Sequence, residues 1–412
     1  MKYLRELILG TCLIVTACSD TKKMAPQEGR LSVLGEKEIV QSTEKGHVDK
    51  AVSVTEWTSP NANNRNKMPV LTFKKSTMGW KIKGAEGRNK NDLPMVTPAV
   101  IGDTIYTLDN NSVIRAYTLK DNTKIWQAES ETKAQGVGLT ADKNLVVTVD
   151  ENGLVIIRDT KGKELQRKEL KTPFRNTPLL ANGNLFLLSL NNDFWVLNAK
   201  TGTEKWHYKA AQTQTLLQKM ARPALADNVV IVPFSTGEVI GFDATTGSLL
   251  WSQDLVGQKV FNAVAGISQI SASPVIENGV VYLVGHGGKT MAVNIKTGES
   301  LWQLDRGGQT TPFISGNTLF FVDNQNHLLA LNKKSGKLFW EKPLEKGLWK
   351  GPYLIDEQLI LFSDEKSVIV DPKTGNMTYR ETGKIQGSYP ALANEGVFFL
   401  GDNGTLYHWE KI

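Results

Sequence analysis

The sequence predicts an all-β protein, an eight-bladed β-propeller built of four-stranded antiparallel blades. Three observations predict it. A unit that begins with proline and ends with tryptophan recurs along the chain, and each unit holds four short β-type segments separated by turn residues. The last unit is incomplete, whereas an orphan strand precedes the first. Repeats this small cannot bury their apolar faces alone, so they stack on one another or close into a ring.

The spacing inside the repeat is constant. In five units the tryptophan follows the proline by 28 residues: Pro98–Trp126, Pro178–Trp206, Pro223–Trp251, Pro274–Trp302 and Pro312–Trp340. Two degraded copies complete the series. One carries Gly138 and Gln166 at the two positions, and the other runs from Pro352 to Tyr379. Because each tryptophan recurs at one place in its unit, we predict that it packs between neighbouring blades.

The unit that begins at Pro274 illustrates the strand pattern. Residues 279–284 form an apolar, β-branched run, and 290–294 and 300–302 form two more, with glycine-containing turns between them. Asn, Asp and Gly in such turns supply the positive φ angles that tight hairpins need. No segment combines a helical period with helix caps, so we expect almost no helix.

The ring is predicted to close by joining the two ends of the chain. The eighth unit begins at Pro390, and its tryptophan would fall beyond Ile412. The strand around Trp80 precedes the first unit and has no partner strands there. Adding it to the three C-terminal strands completes blade eight and removes the unpaired edges of an open array. We therefore assign residues 71–412 to the propeller.

Residues 1–17 are predicted to be a lipoprotein signal peptide. Lys2 and Arg5 precede an apolar stretch, residues 7–17, that is too short to span a bilayer as a helix. Residues 15–18, Val-Thr-Ala-Cys, resemble the bacterial lipobox, which implies cleavage after Ala17 and a lipid on Cys18. Ser19 resembles an outer-membrane sorting signal. The alternative is an ordinary signal peptide that ends near a cysteine.

Residues 18–70 are predicted to form a lipidated, largely disordered tether. They are polar, mixed in charge and without sustained periodicity. Two short apolar patches, within 31–34 and 52–57, are the candidates for docking on another surface.

Composition and spacing exclude several classes of site. The net charge is +6, but lysine and arginine form no runs, so we expect no binding of nucleic acid. No nucleophile elbow occurs, and the glycine-rich stretch 285–290 lacks the first glycine of a phosphate loop. The five histidines do not follow metal-ligand spacing: His47, His207, His286, His327 and His408. We predict a non-enzyme with no catalytic residue, metal or cofactor.

The repeat resembles the tryptophan-docking repeat of the PQQ-dependent quinoprotein dehydrogenases. The matching segments are 197–206, 242–251 and 330–340, each with a Thr-Gly or Ser-Gly turn before its tryptophan. Those enzymes also have eight blades, and they typically carry a vicinal disulfide against the cofactor. The two cysteines here are Cys12 and Cys18, both outside the propeller. A PQQ-dependent periplasmic dehydrogenase is therefore kept only as the alternative function.

Over the propeller and the signal, the chain is similar to the BamB family, lipoproteins of the outer-membrane β-barrel assembly (BAM) machinery. Residues 28–34 and 57–66 resemble the longer N-terminal regions of its alphaproteobacterial members. The resemblance implies a non-catalytic, monomeric scaffold subunit, lipid-anchored on the periplasmic face of the outer membrane. Its implied partner is BamA, with unfolded outer-membrane proteins as further clients. A glycan-binding propeller is a third, weaker hypothesis.

Loop lengths predict where a partner binds. The gap from the tryptophan position to the next proline position is 10–12 residues at five junctions, but 17 after Trp206, 23 after Trp251 and 18 after Trp80. Insertions gathered on one face commonly mark the binding face. Trp349 lies outside the repeat, on another connecting loop, and is a further candidate contact residue.

The BamB resemblance implies contact residues in the two loops after Trp206 and Trp251. They are Leu216, Leu217 and Lys219 in the first loop, and Gln269 and Ser271 in the second. The second pair stands where the family has an acidic pair, so both charges are absent. We also expect apolar contacts from Phe261, Val264 and Ile267, and pairing of a loop edge with a partner strand.

Overall fold

Each blade is an antiparallel meander whose strands follow one another from the innermost to the outermost. The computed structural model describes residues 40–72, 79–212, 220–257, 269–363, 365–381, 386–393 and 396–409. Within these ranges the regular structure is entirely β, with no helix that could span a bilayer. The predicted all-β, eight-bladed propeller of four-stranded sheets is confirmed.

Two strands precede the first complete blade: β1 (Glu56–Trp57) and β2 (Lys81–Lys83). Blade one contains β3 (Ala99–Ile101), β4 (Thr104–Leu108), β5 (Ile114–Thr118) and β6 (Lys124–Ala128). Blade two contains β7 (Gly136–Ala141), β8 (Leu145–Asp150), β9 (Leu154–Asp159) and β10 (Glu164–Glu169). Blade three contains β11 (Leu179–Ala181), β12 (Asn184–Leu188), β13 (Asp193–Asn198) and β14 (Glu204–Lys209). Blade four contains β15 (Ala224–Ala226), β16 (Val229–Pro233), β17 (Glu238–Asp243) and β18 (Leu249–Asp254).

Blade five contains β19 (Val275–Glu277), β20 (Val280–Val284), β21 (Thr290–Asn294) and β22 (Ser300–Leu304). Blade six contains β23 (Phe313–Ser315), β24 (Thr318–Val322), β25 (His327–Asn332) and β26 (Leu338–Pro343). Blade seven contains β27 (Lys350–Ile355), β28 (Gln358–Phe362), β29 (Lys366–Val370) and β30 (Met377–Glu381). Blade eight contains β31 (Ala391–Ala393), β32 (Gly396–Leu400) and β33 (Thr405–Trp409), completed by β2.

The predicted closure of the ring is confirmed. Strand β2 pairs antiparallel with β33, in a register that places Lys81 opposite Tyr407 and Lys83 opposite Thr405. Trp80 lies just before this strand and contacts the rings of Phe398 and His408. The outermost strand of blade eight therefore comes from the beginning of the propeller sequence and the other three strands from its end.

The five repeat tryptophans dock on the following blade, as predicted. Each indole nitrogen donates a hydrogen bond to a backbone carbonyl in the turn between the third and fourth strands of the next blade. The pairs are Trp126 with Thr160 (2.9 Å), Trp206 with Ala244 (3.2 Å), Trp251 with Ile295 (2.7 Å), Trp302 with Lys333 (2.8 Å) and Trp340 with Pro372 (3.0 Å).

A glycine in the same turn makes this docking possible. Gly298 has φ = 69°, and a Cβ atom added there would lie 2.5 Å from Cγ of Trp251. The turn therefore needs glycine both for its backbone conformation and for the close approach of the indole. This explains the constant distance between the Thr-Gly or Ser-Gly turn and the tryptophan in the sequence.

The two ends of the ring differ, and we name them by their connections. On the turn face lie the short links between strands one and two and between strands three and four of each blade. On the loop face lie the links between strands two and three, together with the connections from one blade to the next. The longest connections between consecutive blades, 84–98, 210–223 and 255–274, all belong to the loop face.

Residues 40–70 differ from the predicted disordered tether, because they pack on the turn face. Trp57 and Asn66 are completely buried, and β1 adds a fifth strand to blade one. The sequence shows no periodicity here because the segment runs across the ends of the blades and contacts each through one or two residues. Of the two apolar patches, 52–57 is described, whereas 31–34 lies outside the described residues.

Residues 56–71 form what we call the plug. Backbone hydrogen bonds join it to the innermost strands of blades two, four, five and seven: Ala141 N to Thr58 O (3.2 Å), Leu225 N to Asn64 O (2.8 Å), Ile276 N to Arg65 O (3.0 Å) and Leu71 N to Leu354 O (2.9 Å). Through β1 it also pairs with blade one. The plug thus satisfies backbone groups that the short innermost strands would otherwise leave unpaired at the centre of the ring.

Candidate functional site

The loop face opens into a cavity at the centre of the ring. Its volume is about 640 Å³, and its walls are the segments that precede the innermost strands. The polar side chains of these segments include Thr97, Asn176, Thr177, Ser273, Gln309, Thr310 and Ser388. Pro60 and Asn61 of the plug also line the cavity, so the plug forms its floor and the cavity is blind.

The floor is held by a reciprocal pair, Asn66 of the plug and Arg222 before β15. The Asn66 amide nitrogen donates to the backbone carbonyls of Arg222 (3.4 Å), Pro223 (3.2 Å) and Pro274 (3.0 Å). In return, Nη1 of Arg222 donates to the side-chain oxygen of Asn66 and to the carbonyl of Asn63, both at 3.0 Å. Two adjacent blades and the plug therefore meet at one hydrogen-bonded point.

Arg222 is a buried cation without a carboxylate partner among the described residues. It is 3% exposed, and its Nε donates to the carbonyl of Pro178 at 3.3 Å. Its Nη2 has no hydrogen-bond acceptor in the described part of the chain. Burial lowers the pKa of the Arg222 guanidinium to about 9, because loss of water disfavours the charged form. The guanidinium remains charged at neutral pH and lines the cavity.

Three further cations line the same cavity. Nη2 of Arg88 pairs with Asp402 at 2.7 Å, and Nζ of Lys350 donates to the carbonyl of Gly387 at 2.9 Å. Arg175 is partly exposed and forms no ion pair with any described residue. Of the carboxylates, only Asp323 and Asp402 line the cavity within the described ranges. The cavity therefore carries an excess of positive charge.

A cluster of Asp323, His327 and Glu341 has the composition of a metal site, since one ligand atom of each lies within 4.8 Å of the others. Arg306 occupies this position instead. Its guanidinium pairs with both carboxylates, at 2.9 Å for Oε1 of Glu341 and closely with Oδ2 of Asp323. Because the guanidinium of Arg306 already pairs with both acids, we assign the cluster to an ion-pair network that joins blades five and six.

The predicted contact residues divide into two groups. Leu216, Leu217 and Lys219, together with Phe261, Val264 and Ile267, lie outside the described residues, as does Cys18. Gln269 and Ser271 are described and are 0% and 4% exposed. Their side chains face the interior at the base of the loop and offer no surface for contact. The sequence could not indicate this because loop positions give no pattern of burial.

Trp349 was a candidate contact residue, but it is only 7% exposed. Its indole nitrogen donates to the carbonyl of Glu345 at 3.0 Å, and its ring lies near that of Tyr379. Its neighbour Leu348 is instead 78% exposed at the rim of the cavity. The sequence analysis did not identify Arg175 and Arg222 as site residues. The one sequence feature that could have indicated them is that each lies shortly before a repeat proline, Pro178 or Pro223.

The chain resembles known proteins both in sequence and in fold. Residues 109–342 match the family model described as outer membrane protein assembly factor BamB. An uncharacterized protein of Rickettsia conorii is 28% identical over 231 residues, covering 54% of this chain and 56% of that protein. The chain thus spans little more than half the length of that curated relative. The BamB protein of Yersinia pestis is 21% identical, covering 76% of this chain and 84% of its own.

Solved structures share the fold. BamB from Moraxella catarrhalis superimposes with a TM-score of 0.70 at 16% identity, covering 81% of this chain and 99% of that one. A quinohemoprotein alcohol dehydrogenase from Pseudomonas putida gives a TM-score of 0.67 at 11% identity, covering 87% of this chain and 80% of that one. At these identities the likeness concerns the propeller itself and not the chemistry of its centre.

Proposed function

Because this chain belongs to the outer membrane protein assembly factor BamB family, we propose that it is a non-catalytic scaffold of the outer-membrane β-barrel assembly complex. In this proposal a lipid on Cys18 anchors it to the periplasmic face of the outer membrane, and its loop face binds BamA. Unfolded outer-membrane proteins are its further clients. The propeller supplies a rigid platform, and its loops supply the specificity.

One observation carries this proposal: the two ends of the ring are unequally covered. The plug and residues 40–50 occupy much of the turn face, where His47 exchanges hydrogen bonds with Asn317 of blade six (2.8 and 3.2 Å). The loop face carries the three longest connections and the cavity. A partner therefore finds free backbone and side-chain groups mainly on the loop face.

The contact surface that we propose combines the loops of blades three to five with the rim of the cavity. Leu216, Leu217 and Lys219 supply the contacts of the first loop, and residues 258–268 those of the second. Gln269 and Ser271 are assigned a supporting role, since both are buried where the second loop rejoins the ring. Leu348 adds an exposed apolar group on the opposite side of the rim.

Affinity capture tests the proposal. The mature lipoprotein, carrying a C-terminal tag, is used to capture its partners from detergent-solubilised envelopes of the bacterium that makes it, and these are identified by mass spectrometry. We expect BamA among them. Replacing 213–219 and 258–268 by short Gly-Ser turns should abolish the capture. The control variant is Lys120→Glu, which changes an exposed charge on the turn face.

Capture of BamA by the double loop variant at the wild-type level would refute the loop face as the docking surface. Absence of BamA from the wild-type capture would refute the proposed partner. The competing hypothesis, a PQQ-dependent dehydrogenase, has support only from the shared fold and repeat. Protein incubated with PQQ should then reduce an artificial electron acceptor in the presence of an alcohol, and we expect no such activity.

A further inference from the structure

We propose that the central cavity is a carboxylate-binding site in which the partly exposed Arg175 contacts the ligand and the buried charge of Arg222 attracts it. The inference concerns the floor and walls of the cavity and does not depend on the identity of the partner at the loop face. It assigns a class of ligand to the central cavity, for which the proposed scaffold role provides no function.

The first argument is the balance of charge. Four cationic side chains line the cavity, Arg88, Arg175, Arg222 and Lys350, against the carboxylates of Asp323 and Asp402. Both carboxylates are already engaged, Asp402 by Arg88 and Asp323 by Arg306. The charges of Arg175 and Arg222 are therefore not neutralised by any described acid. A buried cation is costly without a counter-ion, so an incoming anion is stabilised there.

The second argument is the position of the two arginines. Arg175 lies three residues before Pro178, whose carbonyl accepts the Nε hydrogen bond of Arg222 (3.3 Å). Between them, the side chain of Asn176 donates to the carbonyl of Ala221 at 3.3 Å. The segments that carry the two cations are thus joined directly, on the same wall of one blind cavity. A ligand entering from the loop face therefore meets Arg175, and the charge of Arg222 lies buried behind it.

The third argument concerns the kind of anion. The guanidinium of Arg175 is partly exposed and has a planar fork of donors that matches a carboxylate. Asp323 and Asp402 lie on the same cavity walls, and they would repel a dianion such as phosphate more strongly than a single carboxylate. Threonine, serine and asparagine side chains around the arginines supply neutral donors for a second oxygen. A carboxylate can come from an acidic residue of a peptide or from a free small acid.

The experiment uses the mature full chain without its lipid, produced with Cys18 replaced by serine. Binding of two monocarboxylate probes is followed by isothermal titration calorimetry at low salt: butyrate, and an acetylated, amidated tripeptide with a central aspartate. We expect saturable binding of at least one probe, weakened at least about tenfold by Arg175→Gln, which removes a charged hydrogen bond. Peptide binding alone identifies a peptide source, and butyrate binding a free acid.

Arg65→Gln is the matched control, because Arg65 is an exposed arginine of the plug on the turn face. It should bind both probes as the wild type does. Arg222→Gln is the second variant at the floor, used after near-ultraviolet circular dichroism has shown a native fold, and it should also weaken binding because it removes the buried charge. The proposal is overturned if the wild type binds neither probe saturably, or if Arg175→Gln binds them with wild-type affinity.

Discussion

The turn face and the loop face of this propeller belong to the same eight blades, yet the centre of the ring is filled on the turn face and open on the loop face. On the turn face the plug pairs with the innermost strands of five blades and buries Trp57 and Asn66. On the loop face a cavity of about 640 Å³ remains, with a buried guanidinium at its floor. One end is closed by the chain's own backbone, and the other presents polar groups and charge.

This difference predicts which face contributes mainly to the stability of the propeller and which face contributes mainly to partner binding. The backbone hydrogen bonds and the buried side chains of the plug lie on the turn face, so substitutions there should mainly lower the free energy of unfolding. The loop face carries long connections and exposed groups, so substitutions there should mainly alter the binding of a partner. Four predictions test this division, from the largest expected effect to the smallest.

Asn66→Ala should lower the free energy of unfolding by about 3 kcal/mol, because it removes one acceptor of Arg222 and the donor to three buried carbonyls. Asn66 also has φ = 52°, which alanine adopts at a cost. Urea unfolding measures the effect. Asn66→Gly tolerates this φ and should lose less, and exposed Asn91→Ala should change stability by less than about 0.5 kcal/mol. An unchanged midpoint for Asn66→Ala would mean that the plug unfolds separately from the ring.

Glu277→Gln should cost about 1–2 kcal/mol, since the buried Glu277 carboxylate pairs with Lys67 of the plug at 2.7 Å and with Lys333. Both lysines are more exposed than Glu277, which limits the loss. A double-mutant cycle with Lys67→Met, followed by urea unfolding, isolates the contribution of the plug. A coupling energy near zero would show that the ion pair between Lys67 and Glu277 does not contribute to the stability of the turn face.

Leu348→Ser on the loop face should leave the free energy of unfolding within about 0.5 kcal/mol of the wild type, because the side chain is already exposed. It should nevertheless reduce the capture of BamA, if the rim of the cavity belongs to the docking surface. Val52→Ser, at a half-exposed valine of the turn-face segment, is the matched control and should capture normally. Equal capture by both variants would restrict the contact surface to the two long loops.

The smallest effect concerns pH and His286, in the turn between β20 and β21 on the loop face. Burial lowers the pKa of His286 below its ordinary value of 6.5, although a hydrogen bond with Asn324 opposes this. The unfolded chain therefore binds the proton more readily than the folded one. The stability contribution is complete above pH 6.5 and is lost as the pH falls towards the lower folded pKa. In urea unfolding between pH 8 and pH 5, His286→Gln should show a shallower fall than the wild type, whereas parallel curves would contradict the assignment.

The sequence by itself determined the ring. The distance from Pro223 to Trp251, repeated in four other units, predicted blades whose tryptophans dock on the next blade, and the orphan strand at Trp80 predicted the closure with β33. These features are visible because each arises from local chemistry: alternating burial within strands, glycine in tight turns, and an indole that recurs at one position in most blades.

Only the tertiary structure decided what lies at the centre. The plug has no periodicity, since its residues meet a different blade at each step, and Asn66 and Arg222 are 156 residues apart in the sequence. Nothing local distinguishes Arg222 from a surface cation, or Leu348 from its buried neighbour Trp349. Burial and charge balance at the centre of a ring depend on which distant segments converge there, and that convergence exists only after the eight blades have closed.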